Sequence, residues 1–125
     1  RGYIEMIVHQ INGCYEHAAY DACAVMIRRL IETLIIEAFE SQGVASKIRT
    51  TSGAYHYLGD LVSSILEETS WNLSRNAKNC FPKLKTIGDQ SAHSRRFVAV
   101  RRDIDQVTSC LRTVVQELVF LAGFK

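Results

Sequence analysis

Apolar positions along the chain recur with a period near 3.6 residues, which is typical of amphipathic α-helices. The last segment shows this most clearly, because its apolar residues alternate spacings of four and three. They are Val100, Ile104, Val107, Leu111, Val114, Leu118 and Leu121. We therefore predict one long final helix that ends near Gly123.

Four earlier segments have the same periodicity, so the sequence predicts five helices. Their approximate bounds are 2–16, 18–42, 54–69 and 82–93. Pro82 is predicted in the first turn of the fourth helix, where its missing N–H has no intrahelical partner. The second helix is apolar on two sides and is expected at the centre of the fold. Together these features predict an all-α, antiparallel bundle of four to five helices, forming a single domain over residues 1–125.

Composition fits a soluble domain with its own core, since 47% of the 125 residues are hydrophobic and 22% are charged. A net charge of +2 means that any basic binding site must be local. No signal peptide and no apolar run of transmembrane length is present, so no membrane partner is expected. The chain begins at Arg1 rather than at Met, which suggests a domain excised from a larger protein with additional domains.

Cysteine usage favours a reducing, cytoplasmic compartment. Cys14, Cys23, Cys80 and Cys110 form no Cys-x-x-Cys pair, and three of them lie in apolar periodic segments. A free thiol in such a position behaves as a small hydrophobe, although pairing of the four remains open. Cys14 and His17 lack a second pair of ligands, and no glycine-rich phosphate loop occurs, so neither a metal nor a cofactor is predicted.

The fourth predicted helix ends in an unusual polar cluster. Lys85, Asp89 and His93 are spaced by four and are expected to line one face. Asp89 could then orient the imidazole and favour its protonated form. Arg95 and Arg96 follow directly, and guanidinium groups suit phosphate oxygens. A structural alternative stays open, because His and Arg near a helix C-terminus also complement the helix dipole.

Gly88 lies inside the same predicted helix. A glycine there costs about 1 kcal/mol relative to alanine. We therefore expect a close approach of another backbone, or a local distortion, at this position.

The second predicted helix carries charges within an apolar band. Arg28 and Glu32 are expected to pair with each other or with a polar group from another helix, because charges in such a band are seldom left unpaired. Arg29 points away from the band and can also reach Glu32 at a spacing of three. The set could be an ion pair that ties helices together or part of a functional site.

Three stretches, AAYDACAVMIRRLIETLI, YLGDLV and LKTIGDQSAHS, followed by a long last helix, resemble the HEPN superfamily (higher eukaryotes and prokaryotes nucleotide-binding). The chain is most similar to an uncharacterised bacterial branch. The resemblance runs from about Ile4 to Gly123, and its most specific parts are Arg29-x-x-Glu32 and GDQSAH. It implies a homodimer of helical bundles. Many HEPN domains are metal-independent endoribonucleases in toxin–antitoxin, phage-defence and RNA-processing systems, and others are inactive partners or nucleotide-binding modules.

The catalytic motif of that superfamily is an Arg, a polar residue directly after it, and a His that follows the Arg after four to six residues. The His falls on His93 and the polar residue on Asp89, but the Arg position holds Gly88. The departure removes the group that is taken to bind the scissile phosphate. Lys85 lies about one turn upstream, and Arg95 and Arg96 lie just after the His.

Three functional hypotheses follow. The leading one is a HEPN-like homodimer that binds RNA or a nucleotide phosphate and is catalytically weak or inactive, in a bacterial defence or toxin–antitoxin context. The second is an active metal-independent endoribonuclease, in which the ribose 2′-OH attacks the adjacent phosphate and His93 acts as base or acid. The third is a non-catalytic protein-interaction or dimerisation module. In a dimer, the two His93 side chains would share one cleft, which predicts Gly88 at or near the dimer contact.

Overall fold

The periodic apolar positions form six α-helices within residues 2–124, the part of the chain that the computed structural model describes. The helices are α1 (Gly2–Glu16), α2 (Tyr20–Ser41), α3 (Leu58–Glu67), α4 (Arg75–His93), α5 (Arg101–Asp105) and α6 (Thr108–Leu121), with a 3₁₀ turn at Ala45–Ile48. No β-strand occurs in that range. The predicted all-α bundle is therefore confirmed.

α2 is the central helix. It contacts α1, α3, α4, α5, α6 and the 3₁₀ turn, so every other element packs against it. Its buried residues cover two sides of the helix: Cys23, Ala24, Ile27, Leu30, Ile31, Leu34, Ile35, Ala38 and Phe39. The apolar pattern on two sides predicted this central position, because each side needs a neighbour to exclude water.

α4 begins earlier than the sequence predicted. It starts at Arg75, so Pro82 lies inside the helix and not in its first turn. Ser74 caps the start, where its Oγ accepts a hydrogen bond from the Ala77 N–H (3.0 Å). Ala77 and Phe81 are buried with the rest of the apolar face. Burial of that extra stretch outweighs the one backbone donor that Pro82 removes from the helix.

The predicted final helix is broken into two. α5 ends at Asp105 and α6 begins at Thr108, with a turn between them. Val107 precedes α6 with φ −106° and ψ 0°, outside ordinary helical geometry. The break lets the two pieces face different neighbours, because α5 packs on α2 whereas α6 packs on both α2 and α4.

Cys80 of α4 and Cys110 of α6 form a disulfide. The expectation of free thiols is therefore wrong for these two, and the argument from cysteines for a reducing compartment is lost with it. Cys14 and Cys23 are free thiols. Burial raises the pKa of the Cys23 thiol to about 11, so it stays protonated at neutral pH.

None of the helices within residues 2–124 combines the length and the apolar content that crossing a bilayer requires.

Candidate functional site

The polar face of α4 forms as its spacing predicts. The helix extends to His93, so Lys85, Asp89 and His93 follow each other at intervals of one turn on one face. Ser94 ends the helix in an extended conformation, and its N–H donates to the Gln90 carbonyl (3.0 Å). His93 is thus the last helical residue and is exposed to solvent.

Asp89 is held by two cations. Its Oδ1 accepts from Nε of Arg28 (3.3 Å), and its Oδ2 accepts from Nζ of Lys85 (2.6 Å). Arg28 also pairs with Glu32 on its own helix, with 3.4 Å between Nη1 and Oε1. Arg28, Glu32, Lys85 and Asp89 thus form a four-charge network that joins α2 to α4 and has no net charge.

The two acids of the four-charge network respond differently to their surroundings. Burial raises the pKa of Glu32, and the charge of Arg28 only partly offsets it. Burial alone would also raise the pKa of Asp89, but the hydrogen bonds and charges of Lys85 and Arg28 outweigh burial and hold that pKa below its ordinary value. Asp89 is therefore firmly ionised at neutral pH.

Gly88 lies where α4 crosses α2. A Cβ built on this glycine would come within 2.7 Å of the Arg28 Cβ, closer than real Cβ contacts allow. The predicted close approach therefore exists, but it lies within the chain. Gly88 is buried against α2, and its predicted position at or near a dimer contact stays a prediction. An arginine at this position, as in the HEPN motif, has no room beside Arg28.

A basic connection follows α4. We call residues 93–102, HSRRFVAVRR, the basic segment, because it carries four arginines and no carboxylate. Ser94 Oγ accepts from the N–H groups of Arg96 (3.3 Å) and Phe97 (3.1 Å). Asp21 Oδ1 of α2 accepts from the Ala99 N–H (3.0 Å). These bonds hold the backbone of the connection, so its arginines project from an ordered turn.

Most of the basic side chains on the basic segment have no partner among residues 2–124. Arg101 is engaged, since its Nε contacts the Tyr15 hydroxyl (3.0 Å) and lies 3.6 Å from Asp105 Oδ2. The other four basic side chains are exposed and, within residues 2–124, form no hydrogen bond and no ion pair. They are His93, Arg95, Arg96 and Arg102.

The predicted site residues therefore separate into two groups. Arg28, Glu32, Lys85 and Asp89 neutralise one another in the four-charge network, whereas His93, Arg95 and Arg96 face solvent on the basic segment. Asp89 makes no hydrogen bond to His93 in the described chain, because both of its oxygens bind cations. Arg29 is exposed and takes part in none of the ion pairs found between residues 2 and 124.

Sequence reasoning missed a cleft between α4 and α5. It measures about 530 Å³ and is lined by Pro82, Lys83, Thr86, Ile87, Gln90, Asp103, Gln106 and Val107. The cleft depends on the break between α5 and α6, which the apolar stripe concealed. The role of Arg102 was missed as well, although the two arginine doublets without an intervening acid could have drawn attention to it.

No group of three or more His, Cys, Asp or Glu residues in the described part of the chain could hold a metal ion.

Comparison with curated proteins and comparison with solved structures give no match. A family model described as a domain of unknown function, DUF4145, matches residues 9–122. The match includes the four-charge network, the basic segment and the cleft, and covers nearly all of the helical bundle. The chain therefore belongs to the DUF4145 family of domains.

Proposed function

We propose that this chain is a HEPN-like domain that binds RNA or a nucleotide through its phosphates and has little or no catalytic activity. The observation that carries the proposal is the set of unpaired basic side chains on the basic segment. His93, Arg95, Arg96 and Arg102 are exposed together on ten residues that contain no acid.

The physical argument begins with charge. The whole chain has a net charge of only +2, so this local concentration dominates what an anion encounters at close range. Guanidinium groups present a planar fork of donors that matches phosphate oxygens. Because the segment is held by Ser94 and Asp21, part of the ordering needed for binding is already present in the free protein.

The geometry disfavours efficient RNA cleavage. Position 88 cannot hold a phosphate-binding arginine, since α2 occupies the space. The imidazole of His93 has no hydrogen-bond partner among residues 2–124 that would orient it for proton transfer. Lys85, the cation nearest to the missing arginine in sequence, donates to Asp89 (2.6 Å). The ribonuclease hypothesis would therefore need Arg95 or Arg96 to replace the missing group.

Salt-dependent binding to a labelled single-stranded RNA tests the proposal. In the double variant Arg95→Ala/Arg96→Ala, we expect weaker binding at low salt and a dependence of log K on log salt that is shallower by about 1.4, because two phosphate contacts are lost. Arg29→Ala/Arg75→Ala is the matched control, since it removes two exposed arginines elsewhere. Equal losses in the two double variants, or no RNA binding by the wild-type chain at low salt, would overturn the proposal.

The HEPN resemblance also implies a homodimer, a cytoplasmic location and a role in bacterial defence or toxin–antitoxin systems. We include these three properties in the proposal. Exposed apolar residues on α1, Tyr3 and Met6, offer a surface for self-association. The disulfide between Cys80 and Cys110 is the feature that speaks against a reducing compartment. Light scattering of the purified chain would measure the oligomeric state.

A further inference from the structure

The cleft between α4 and α5 is directly continuous in sequence with both ends of the basic segment. Gln90 on its α4 wall precedes His93 by about one turn, and Asp103 on its α5 wall immediately follows Arg102. A ligand that spans the two would place its phosphate on the basic segment and its next group in the cleft. At about 530 Å³, the cleft has the volume of an ordinary small-molecule site.

Ile87 and Val107 are nearly buried and supply the apolar part of the cleft's lining. The walls present the amides of Gln90 and Gln106, which can both donate and accept. A flat ring with a polar edge matches this combination, because its face can rest on aliphatic carbon while its edge meets the amides.

The remaining walls make the cleft selective. Thr86 Oγ1 donates to the Pro82 carbonyl (2.9 Å), which leaves the hydroxyl only its lone pairs for a ligand. Asp103 is an acceptor whose Oδ2 takes the Val100 N–H (2.8 Å), which leaves Oδ1 and the second lone pair of Oδ2 for two ligand donors. Lys83 adds an ammonium donor to the lining. The site thus offers a carboxylate for adjacent N–H groups and an ammonium for a carbonyl.

We infer that this cleft holds a guanine base, either of a free nucleotide or of a residue in RNA, and the inference rests on the proposed phosphate binding. Guanine presents neighbouring N–H donors on one side and the O6 and N7 acceptors on another. The donors face Asp103, and the acceptors face Lys83 or an amide.

The other bases match less well. Adenine and cytosine place a ring-nitrogen acceptor beside their amino group, and uracil flanks its single N–H with two carbonyls. In each of them, the Asp103 carboxylate would meet a lone pair next to the donor that it binds, which is repulsive. Guanine alone gives the carboxylate two adjacent donors, an arrangement that discriminates against the other bases.

Titration of the four nucleoside monophosphates, and of oligouridine with and without one guanosine, tests the inference. We expect wild type to prefer the guanine ligands by about tenfold, within the range of a good bidentate contact. In Asp103→Asn the preference should disappear, while the amide oxygen still accepts the Val100 N–H. Because this variant also removes a negative charge, the other three nucleotides should bind slightly more tightly. The guanine preference should therefore fall while the affinity for these three nucleotides rises.

Asp60→Asn is the matched control, since it removes an exposed carboxylate from the first turn of α3, outside the cleft. It should keep the guanine preference. A preference seen with guanosine monophosphate but not with oligouridine containing guanosine would identify a free nucleotide as the ligand. A preference seen with both would identify RNA as the ligand. Either result supports the inference.

Equal binding of all four nucleotides by wild type, together with loss of binding in Arg95→Ala/Arg96→Ala, would overturn the guanine site and leave the proposed phosphate binding intact. A guanine preference that Asp103→Asn retains would also overturn it. Absence of all nucleotide and RNA binding at low salt would instead remove the proposed function itself.

Discussion

Gly88 shows how one residue controls the distance between two helices. Its missing Cβ allows α4 to lie against the Cβ, Cγ and Cδ of Arg28, and this places Asp89 within reach of the Arg28 guanidinium. The same contact removes the space for the arginine of the HEPN motif. One packing requirement thus accounts both for the four-charge network and for the absence of room for an arginine at position 88.

Gly88→Ala should therefore destabilise the fold. Overpacking of this kind costs about 1 to 3 kcal/mol, against which the higher helix propensity of alanine returns at most about 1 kcal/mol. Urea unfolding measures the difference. Gly59→Ala is the control, because its Cβ would meet only the flexible end of Lys85 (Cε at 3.1 Å), which can move aside. If Gly88→Ala is as stable as wild type, the close packing against Arg28 is not tight in solution.

Asp89→Asn should lose stability in a pH-dependent way. The folded-state pKa of Asp89 lies below its unfolded value, so its contribution is present above about pH 4 and is lost as the pH falls through the folded pKa. The loss at neutral pH should be about 1 kcal/mol, since the carboxylate is partly exposed. Unfolding free energies measured between acid and neutral pH should show wild type and variant converging at low pH.

Glu32→Gln provides the opposite pH dependence. Because burial raises the folded-state pKa of Glu32, ionisation opposes folding as the pH rises from the unfolded value of about 4.3 through the folded pKa. The stability of Glu32→Gln relative to wild type should therefore increase over that interval. Parallel curves for the two proteins would contradict the effect of burial on Glu32.

At the scale of elements, α4 and α6 are joined by packing and by a covalent bond. The disulfide closes a chain segment of 30 residues that contains the basic segment and α5. The same pair of helices is tied at the start of α4, where the Ser74 N–H donates to the Glu117 carboxylate of α6 (2.8 Å). The basic segment is thus carried on a loop whose two helical supports cannot separate.

Cys80→Ala/Cys110→Ala should lower the free energy of unfolding by about 3 to 4 kcal/mol, the loop-closure value for a segment of this length. Thermal unfolding with and without a reductant measures the effect, and a reductant should have little influence on the variant. Cys14→Ala is the control, because Cys14 is a free thiol outside the bond. An equal response of wild type and double variant to the reductant would show that the bond is absent in solution.

At the scale of the whole molecule, the four-charge network and the basic segment differ in charge and in position. The four-charge network is neutral and holds α2 against α4, whereas the basic segment concentrates positive charge on one end of the bundle. A cluster that is continuous in the sequence is therefore divided in space: Asp89 binds Arg28 of α2 and Lys85 binds Asp89, whereas His93 lies at the end of α4.

Incubation of the purified chain with mixed RNA in the presence of a chelator should leave the RNA intact, because position 88 supplies no cation and no side chain among residues 2–124 orients His93. Gel electrophoresis of the RNA over time measures this. Cleavage that disappears in His93→Ala would support the ribonuclease hypothesis instead, and cleavage that persists in that variant would indicate a contaminating nuclease.

Local features of the fold were predictable, and contacts between distant residues were not. The apolar period located α1 and α2 closely and identified α2 as central, since each property depends on residues within a few turns. The start of α4 was missed, because Pro82 is a strong local signal that tertiary burial of Ala77 and Phe81 overrides. The break at Val107 was missed, because an uninterrupted apolar stripe does not show that its two halves face different helices.

The sequence by itself determined the helical class, the polar face of α4 and the concentration of arginines on the basic segment, because periodicity and local charge are properties of neighbouring residues. Only the tertiary structure decided that Gly88 meets Arg28, that Cys80 meets Cys110, and that α4 and α5 enclose a cleft. Each of these joins residues far apart in the chain. Their proximity depends on which helix packs against which apolar side of α2. That arrangement is fixed only when all of the helices pack together.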